Sequence, residues 1–280
     1  MAIQTIATTL TDKSMAKSVL QSASFLAAAF DAHLDALCLG IDHSQLGFYD
    51  AGASAEILQE AIEHAGAQAR IIETIAKQDL ARAGIRWSTD TAVSQMMDLS
   101  RHVSQHARFS DLVVLPKPYG PDRGSELEPV VEAALFQGRT PVLILPDLSA
   151  QIEALPNKAL LSWNDSPESL AAIKGALPLL KQVSKVHIAI IDPPVHGPHR
   201  SDPGGMLATW LARHGVRAEI DVLAKTLPRV ADVILRHAED TSADMIVMGG
   251  YGHSRFREAI LGGATRDMLE DAQIPVLMAH

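Results

Sequence analysis

Apolar residues along this chain gather in short runs, separated by stretches whose apolar positions have helical spacing. In the second half the runs lie near 158–163, 185–191, 217–223, 244–249 and 275–279. Several are continuous rather than alternating, the pattern of strands covered on both faces. Between the first two runs, Leu170, Ile173, Leu177 and Leu180 recur at spacings of three and four and form one helical stripe. Ser166 is placed to cap that helix and Pro167 to open it. The first half opens alike. An apolar run over Ile3–Leu10 leads through the polar turn Asp12-Lys13-Ser14 to a stripe of Met15, Val19, Leu26 and Phe30. Strands alternating with helices predict right-handed crossovers and a parallel sheet, an α/β fold.

The two halves repeat one another. The segment GIRWSTDTAVSQMMDLSRHVSQHA from Gly84 lies over GVRAEIDVLAKTLPRVADVILRHA from Gly215, pairing Arg86 with Arg217 and His106 with His237. Each copy then reaches an Asp and a strand, Asp111 with LVVLP and Asp244 with MIVMG. Each half closes on a similar run, TPVLILP at Thr140–Pro146 and IPVLMAH at Ile274–His280. The turn Asn164-Asp165-Ser166 stands where Asp12-Lys13-Ser14 stands. Two domains are therefore expected, 1–146 and 157–280, with Pro146–Asn157 as the linker.

Composition narrows the partners. The chain has 280 residues, an apolar fraction of 47% and a formal net charge of -9. It can fill two cores, and an acidic chain is a poor match for nucleic acid. The single cysteine, Cys38, allows no internal disulfide and sits in an apolar run, as a core residue would. The opening MAIQTIATTL lacks the basic and apolar blocks of a secretory signal. No apolar run approaches the ~20 residues of a membrane span. A cytoplasmic protein without a membrane partner is the expectation.

In a parallel α/β sheet, ligands sit beyond the C-terminal strand ends. There the second half carries MGGYGHSRFREAILGGATRDML, from Met248 to Leu269. Gly249 and Gly252 lie at the end of a strand, and Gly262 comes just before Gly263, Ala264 and Thr265, which open the last helix. Glycines admit close backbone approach, and a helix start offers N–H groups and a positive dipole end. Together they suit phosphate; tight turns alone would also use them. The pattern is neither a Walker loop nor the Rossmann fingerprint.

The spacing Gly-x2-Gly-x9-Gly between a strand and the last helix resembles the ATP-binding signature of universal stress proteins. Asn164-Asp165-Ser166 resembles that family's Asp-x-Ser turn, and Ile190-Ile191-Asp192 its Val-x-Asp segment. The resemblance implies two αβ sandwich domains, each a five-stranded parallel sheet of order 3-2-1-4-5, packed as an intrachain pseudo-dimer through the terminal strands at 141–145 and 275–279. A homodimer of whole chains is left open. It implies ATP as ligand, with magnesium accompanying it. Ile190 would meet adenine and Asn164 the nucleoside. Met248, Gly249, Gly252, His253, Ser254, Gly262, Gly263, Ala264 and Thr265 would line ribose and phosphates. The family has Asp where Asn164 stands and Ser or Thr where Gly263 stands. One lost hydroxyl costs on the order of 1 kcal/mol.

The first half departs further. Pro116 stands at the place of Gly249, and Tyr119 lies close to that of Gly252. Proline has no N–H to donate, so this half is read as dead for nucleotide phosphate. The expected function is adenine-nucleotide binding in a stress or regulatory response. Any ATPase activity would be slow, since no general base or arginine finger is assigned. The alternatives are a nucleotide-independent interaction protein and a small-molecule binder using the same crevice. Histidines such as His187, His196, His199, His214, His253 and His280 show no metal-ligand spacing with cysteine, so no metal site is assigned. Ser166 and Ser254 are read as caps or ligand contacts rather than nucleophiles.

Overall fold

The computed structural model describes residues 2–43, 55–121, 123–146, 152–193, 202–250 and 263–280. The chain divides into two units. One is built on Ile3–Thr140, the other on Ala154–His280 together with Pro141–Asp147.

In the N-terminal unit, β1 (Thr5–Leu10), α1 (Lys13–Phe30), β2 (His33–Asp42), α2 (Ala55–Leu80), β3 (Arg86–Gln95), α3 (Leu99–Ala107), β4 (Leu112–Pro116) and α4 (Leu127–Glu132) follow in order. A π-turn over Ala133–Gln137 continues α4. The strands lie in the order β3-β2-β1-β4, and the three pairings are parallel. Cys38 is buried in β2. Burial, joined by the nearby Glu73 carboxylate, pushes its thiol pKa up to about 12. That is the state of a core residue, not of a reactive thiolate.

In the C-terminal unit, β5 (Val142–Leu145) is followed by β6 (Lys158–Ser162), α5 (Pro167–Leu180), β7 (Lys185–Ile191), α6 (Gly205–Arg213), β8 (Ala218–Leu223), α7 (Val230–Thr241), β9 (Met245–Gly249), α8 (Ala264–Asp271) and β10 (Val276–Ala279). The parallel strands take the order β8-β7-β6-β9-β10, which in order of appearance is 3-2-1-4-5. β5 groups with this unit and lies antiparallel to β10, with Val276 opposite Ile144 and Met278 opposite Val142. Hydrogen bonding by β5 leaves β10 with no open edge to aggregate. The central strand explains the continuous apolar run. Ala159, Leu160 and Leu161 of β6 are fully buried, and each leucine contributes about 1.5–3 kcal/mol by leaving water.

The repeat is built from matched devices. Asp111 accepts hydrogen bonds from the backbone N–H of Gln4 and Thr5 at 2.8 and 3.0 Å. Asp244 does the same for Asn157 and Lys158 at 3.1 and 2.9 Å. Each carboxylate ties the start of the fourth strand to that of the first. Gly84 and Gly215, paired in the sequence repeat, both have positive φ, 66° and 82°, a conformation that favours glycine. In α5, Ile173, Leu177 and Leu180 of the predicted stripe are buried, while Leu170 is half-buried.

Candidate functional site

Parallel pairing brings the C-terminal ends of β6, β7 and β9 to one edge of the C-terminal unit. After β6, Trp163 N–H donates to the Ala189 carbonyl at 2.9 Å and extends the pairing by one residue. Asn164 Oδ1 then accepts from Ser166 N–H at 3.2 Å. Asp165 takes φ 61°, a left-handed conformation that Asp tolerates better than most residues. Ser166 caps α5, its Oγ accepting from Ser169 N–H at 3.1 Å, with Pro167 opening the helix. Asp12 makes the same local bond in the N-terminal unit, to Ser14 N–H at 2.6 Å. The change from Asp to Asn keeps the turn and removes a charge.

At the end of β7, Ile190 is buried and lies opposite Val222 of β8. Asp192 has φ 43°. Its N–H donates to the Leu223 carbonyl at 2.9 Å, and its Oδ1 accepts from Lys225 N–H at 3.1 Å. The ends of β7 and β8 are thereby tied.

At the end of β9, Met248 is buried and lies beside Ser162 and Met278. Gly249 answers to packing. A Cβ there would stand 2.6 Å from Ser169 N and 2.7 Å from the Glu168 carbonyl carbon. The first turn of α5 therefore rests directly on the strand end, and only glycine admits it. Gly263 caps α8 in an extended conformation, φ -96° and ψ 147°, without a side-chain hydrogen bond. Ala264 begins the helix, and Thr265 is buried. Gly252, His253, Ser254 and Gly262 lie outside the described residues.

Sequence reasoning missed Arg229. It precedes α7 and bonds Asp232 bidentately, its Nε at 3.0 Å. It also reaches Asp271 of α8 at 2.9 Å and Asp267 at 3.7 Å. Arg229 thus balances acids along α8, from Asp267 in its first turn to Asp271 at its end.

The matching place in the N-terminal unit is filled differently. β4 ends on buried Pro116. The Tyr119 hydroxyl donates to Glu128 Oε1 at 2.7 Å. The N-cap of α4, matching Gly263, is Glu126. Glu126 is 6% exposed, and its Oε1 accepts from the Thr11 hydroxyl at 3.0 Å. A buried carboxylate thus stands at the start of α4. Nearby, a cavity of about 510 Å³ opens at the C-terminal ends of β1 and β2, lined among others by Asp12, Lys13, Asp42, His43 and His64.

A second polar group lies on β7, β8 and α7. His187 Nδ1 of β7 and His237 Nε2 of α7 both lie 2.8 Å from Asp221 Oδ2 of β8. Burial raises the Asp221 carboxyl pKa. The hydrogen bonds from His237 and His187 outweigh it and hold the carboxyl below its ordinary range.

Residues 158–280 match the universal stress protein family. A stretch of 92 residues is 29% identical to universal stress protein Slr1230 of Synechocystis sp., covering 33% of this chain. The match spans 31% of that relative's length. Across 98% of this chain and 97% of its own, a universal stress protein from Archaeoglobus fulgidus DSM 4304 superposes with a TM-score of 0.69 at 15% identity. A functionally unknown protein from Pseudomonas aeruginosa PAO1 superposes over 99% of this chain and 92% of its own, with a TM-score of 0.58 at 15% identity. These likenesses establish the fold. The family match thus lies on the C-terminal unit, residues 158–280, while the fold of universal stress proteins extends over nearly the whole chain. No helix among the described residues is long and apolar enough to cross a membrane.

Proposed function

We propose that the C-terminal unit binds an adenine nucleotide, ATP with its magnesium, as a stress-response or regulatory protein of the cytoplasm. The N-terminal unit holds no nucleotide phosphate. One observation carries this reading. The last helix of the C-terminal unit starts on Gly263, whereas its counterpart starts on the buried carboxylate of Glu126. A glycine at a helix start suits an anion; a carboxylate repels one. In this reading Ile190 meets adenine, Asn164 faces the nucleoside, and Met248, Gly249, Gly263, Ala264 and Thr265 line ribose and phosphates. Gly252, His253, Ser254 and Gly262 complete the loop.

Calorimetric titration with Mg-ATP tests it. The expected stoichiometry is near one per chain. Gly252→Val should weaken binding at least ~10-fold, equivalent to about 1.4 kcal/mol, while circular dichroism stays unchanged. A stoichiometry near two contradicts the asymmetry between units. Unchanged ATP binding by a folded Gly252→Val variant contradicts the phosphate loop.

A further inference from the structure

We propose that His187, Asp221 and His237 form a binding site for a divalent transition-metal ion, with Zn2+ as its natural probe. The site is separate from the nucleotide reading and does not depend on it. Its three donor atoms come from three different elements and lie within 4.8 Å of one another. The register explains the convergence. Ala189 is opposite Asp221 and His187 is opposite Glu219, so His187 and Asp221 are diagonal neighbours on one face. His237 reaches the same point from α7. The two imidazoles stand at 87° with centroids 6.2 Å apart and approach the carboxylate from different directions.

The spacing fits a metal with little movement. Zinc binds imidazole nitrogen and carboxylate oxygen at about 2.0–2.2 Å, so tetrahedral donors stand about 3.3 Å apart. Both nitrogen–oxygen distances are 2.8 Å, and a slight opening of the side chains would admit the ion. Two histidines and one carboxylate are a donor set for zinc and its neighbours rather than for calcium or magnesium. The nearby Glu219 is held by Lys185 at 2.9 Å, which leaves Asp221 as the carboxylate facing the rings. The His187, His237 and Asp221 side chains are 9%, 15% and 24% exposed. The carboxylate side therefore opens to solvent, giving the ion a way in and a water its fourth position. Bound there, the ion would fasten α7 to β7 and β8.

The N-terminal unit supplies an internal control. The matched Asp111 and Asp244 bonds and the strand registers place Asp35, Asp90 and His106 at the corresponding positions. Asp35 there engages His33 and Ser88. One imidazole replaces two, so zinc binding should belong to the C-terminal unit.

The test uses the full chain stripped with a chelator. Zn2+ is titrated against a chromophoric competitor, and Co2+ is added in parallel to read coordination from its visible spectrum. The expected results are one ion per chain, the intense bands of tetrahedral Co2+ without a thiolate band, and melting that rises with Zn2+ concentration. His187→Gln and His237→Gln should each weaken binding at least ~100-fold, more than outer-shell partners usually carry. His106→Gln and the double variant His196→Gln/His199→Gln should bind as the parent does. Should either single variant fail to fold, the parent's Co2+ spectrum decides. The proposal is overturned if the stripped parent takes up neither ion, or if its Co2+ spectrum is only that of the hydrated ion. It is equally overturned if folded His187→Gln and His237→Gln retain parental binding, or if the His196/His199 pair carries it.

Discussion

In the C-terminal unit β9 ends on Gly249 and the last helix starts on Gly263; in the N-terminal unit the matching points are Pro116 and Glu126. The sheets around these points share the order of their first four strands and the carboxylate tie at Asp111 or Asp244. The frame has therefore been kept in both copies while the edge at the C-terminal strand ends has diverged. Divergence also has a sign. The N-terminal unit carries a buried carboxylate where its counterpart has no side chain at all. A loop can lose phosphate binding by losing glycines, but an acid placed at the helix start opposes phosphate directly. Pro116→Gly alone should consequently create no Mg-ATP binding, because Glu126 remains. Calorimetry showing such binding would break the comparison.

The largest stability effect is expected at Gly249. Gly249→Ala would place a Cβ against the backbone of Glu168 and Ser169, atoms that cannot rotate away. The overpacking should cost about 1–3 kcal/mol, read as a lower urea midpoint for the C-terminal unit. If the variant is as stable as the parent, α5 can shift. Gly249 would then owe its identity to a ligand rather than to helix packing.

Next come the twin ties. Asp111→Ala and Asp244→Ala each remove the acceptor of two backbone N–H groups. Their hydrogen bonds are exposed, so about 1–2 kcal/mol is expected from each. Urea denaturation of the two variants should give nearly equal losses. A clear inequality would show that the repeat preserves the shape of this device but not its energy.

Much of this was legible in the sequence, because the repeat and the continuous apolar runs are signals of period and order. The run at 185–191 became β7 with the same ends, and the run at 217–223 became β8 over Ala218–Leu223. Asn164 and Ser166 were legible as a turn and cap because their bonds are local. What escaped depended on long-range placement. The grouping of β5 with the second unit cannot be read from spacing, since the unit is defined by pairing with β10, far along the chain. The sequence offers no signal that Glu126 is buried, because its burial depends on Thr11, far along the chain. His187, Asp221 and His237 are 34 and 16 residues apart, far outside metal-motif spacing. Yet a hint was present: laying Gly84 over Gly215 pairs Asp90 with Asp221 as well as His106 with His237.

Those paired histidines offer a pH test. Burial lowers the His106 pKa, and the opposing Asp35 and Asp90 carboxylates do not restore it. The folded state then binds fewer protons than the unfolded state just below the ordinary histidine value. Stability from this group is complete above about pH 6.5 and falls as pH drops through that value toward the folded pKa. NMR titration should place His106 below a model histidine, and His106→Gln should flatten the slope of stability against pH in that window. A His106 that titrates like a model histidine would sink this expectation.

The smallest effect is at Gly263, and it separates the two explanations of the helix start. The residue already has the extended backbone of an N-cap, and its side chain is the missing part. Gly263→Ser needs no backbone change, and serine replacing glycine at a cap gains only a few tenths, about 0.3 kcal/mol. That gain should appear in the urea midpoint with or without nucleotide, since it belongs to α8. A hydroxyl that also meets phosphate adds to ATP binding, by about 1 kcal/mol at most. It adds nothing to adenosine, which has no phosphate to meet. Paired titrations with ATP and adenosine therefore sort the outcomes. Tighter ATP with unchanged adenosine places phosphate at the start of α8. An equal change for both ligands assigns the gain to helix order alone. No change in either, with the stability gain present, leaves Gly263 as a cap position and removes α8 from the nucleotide site.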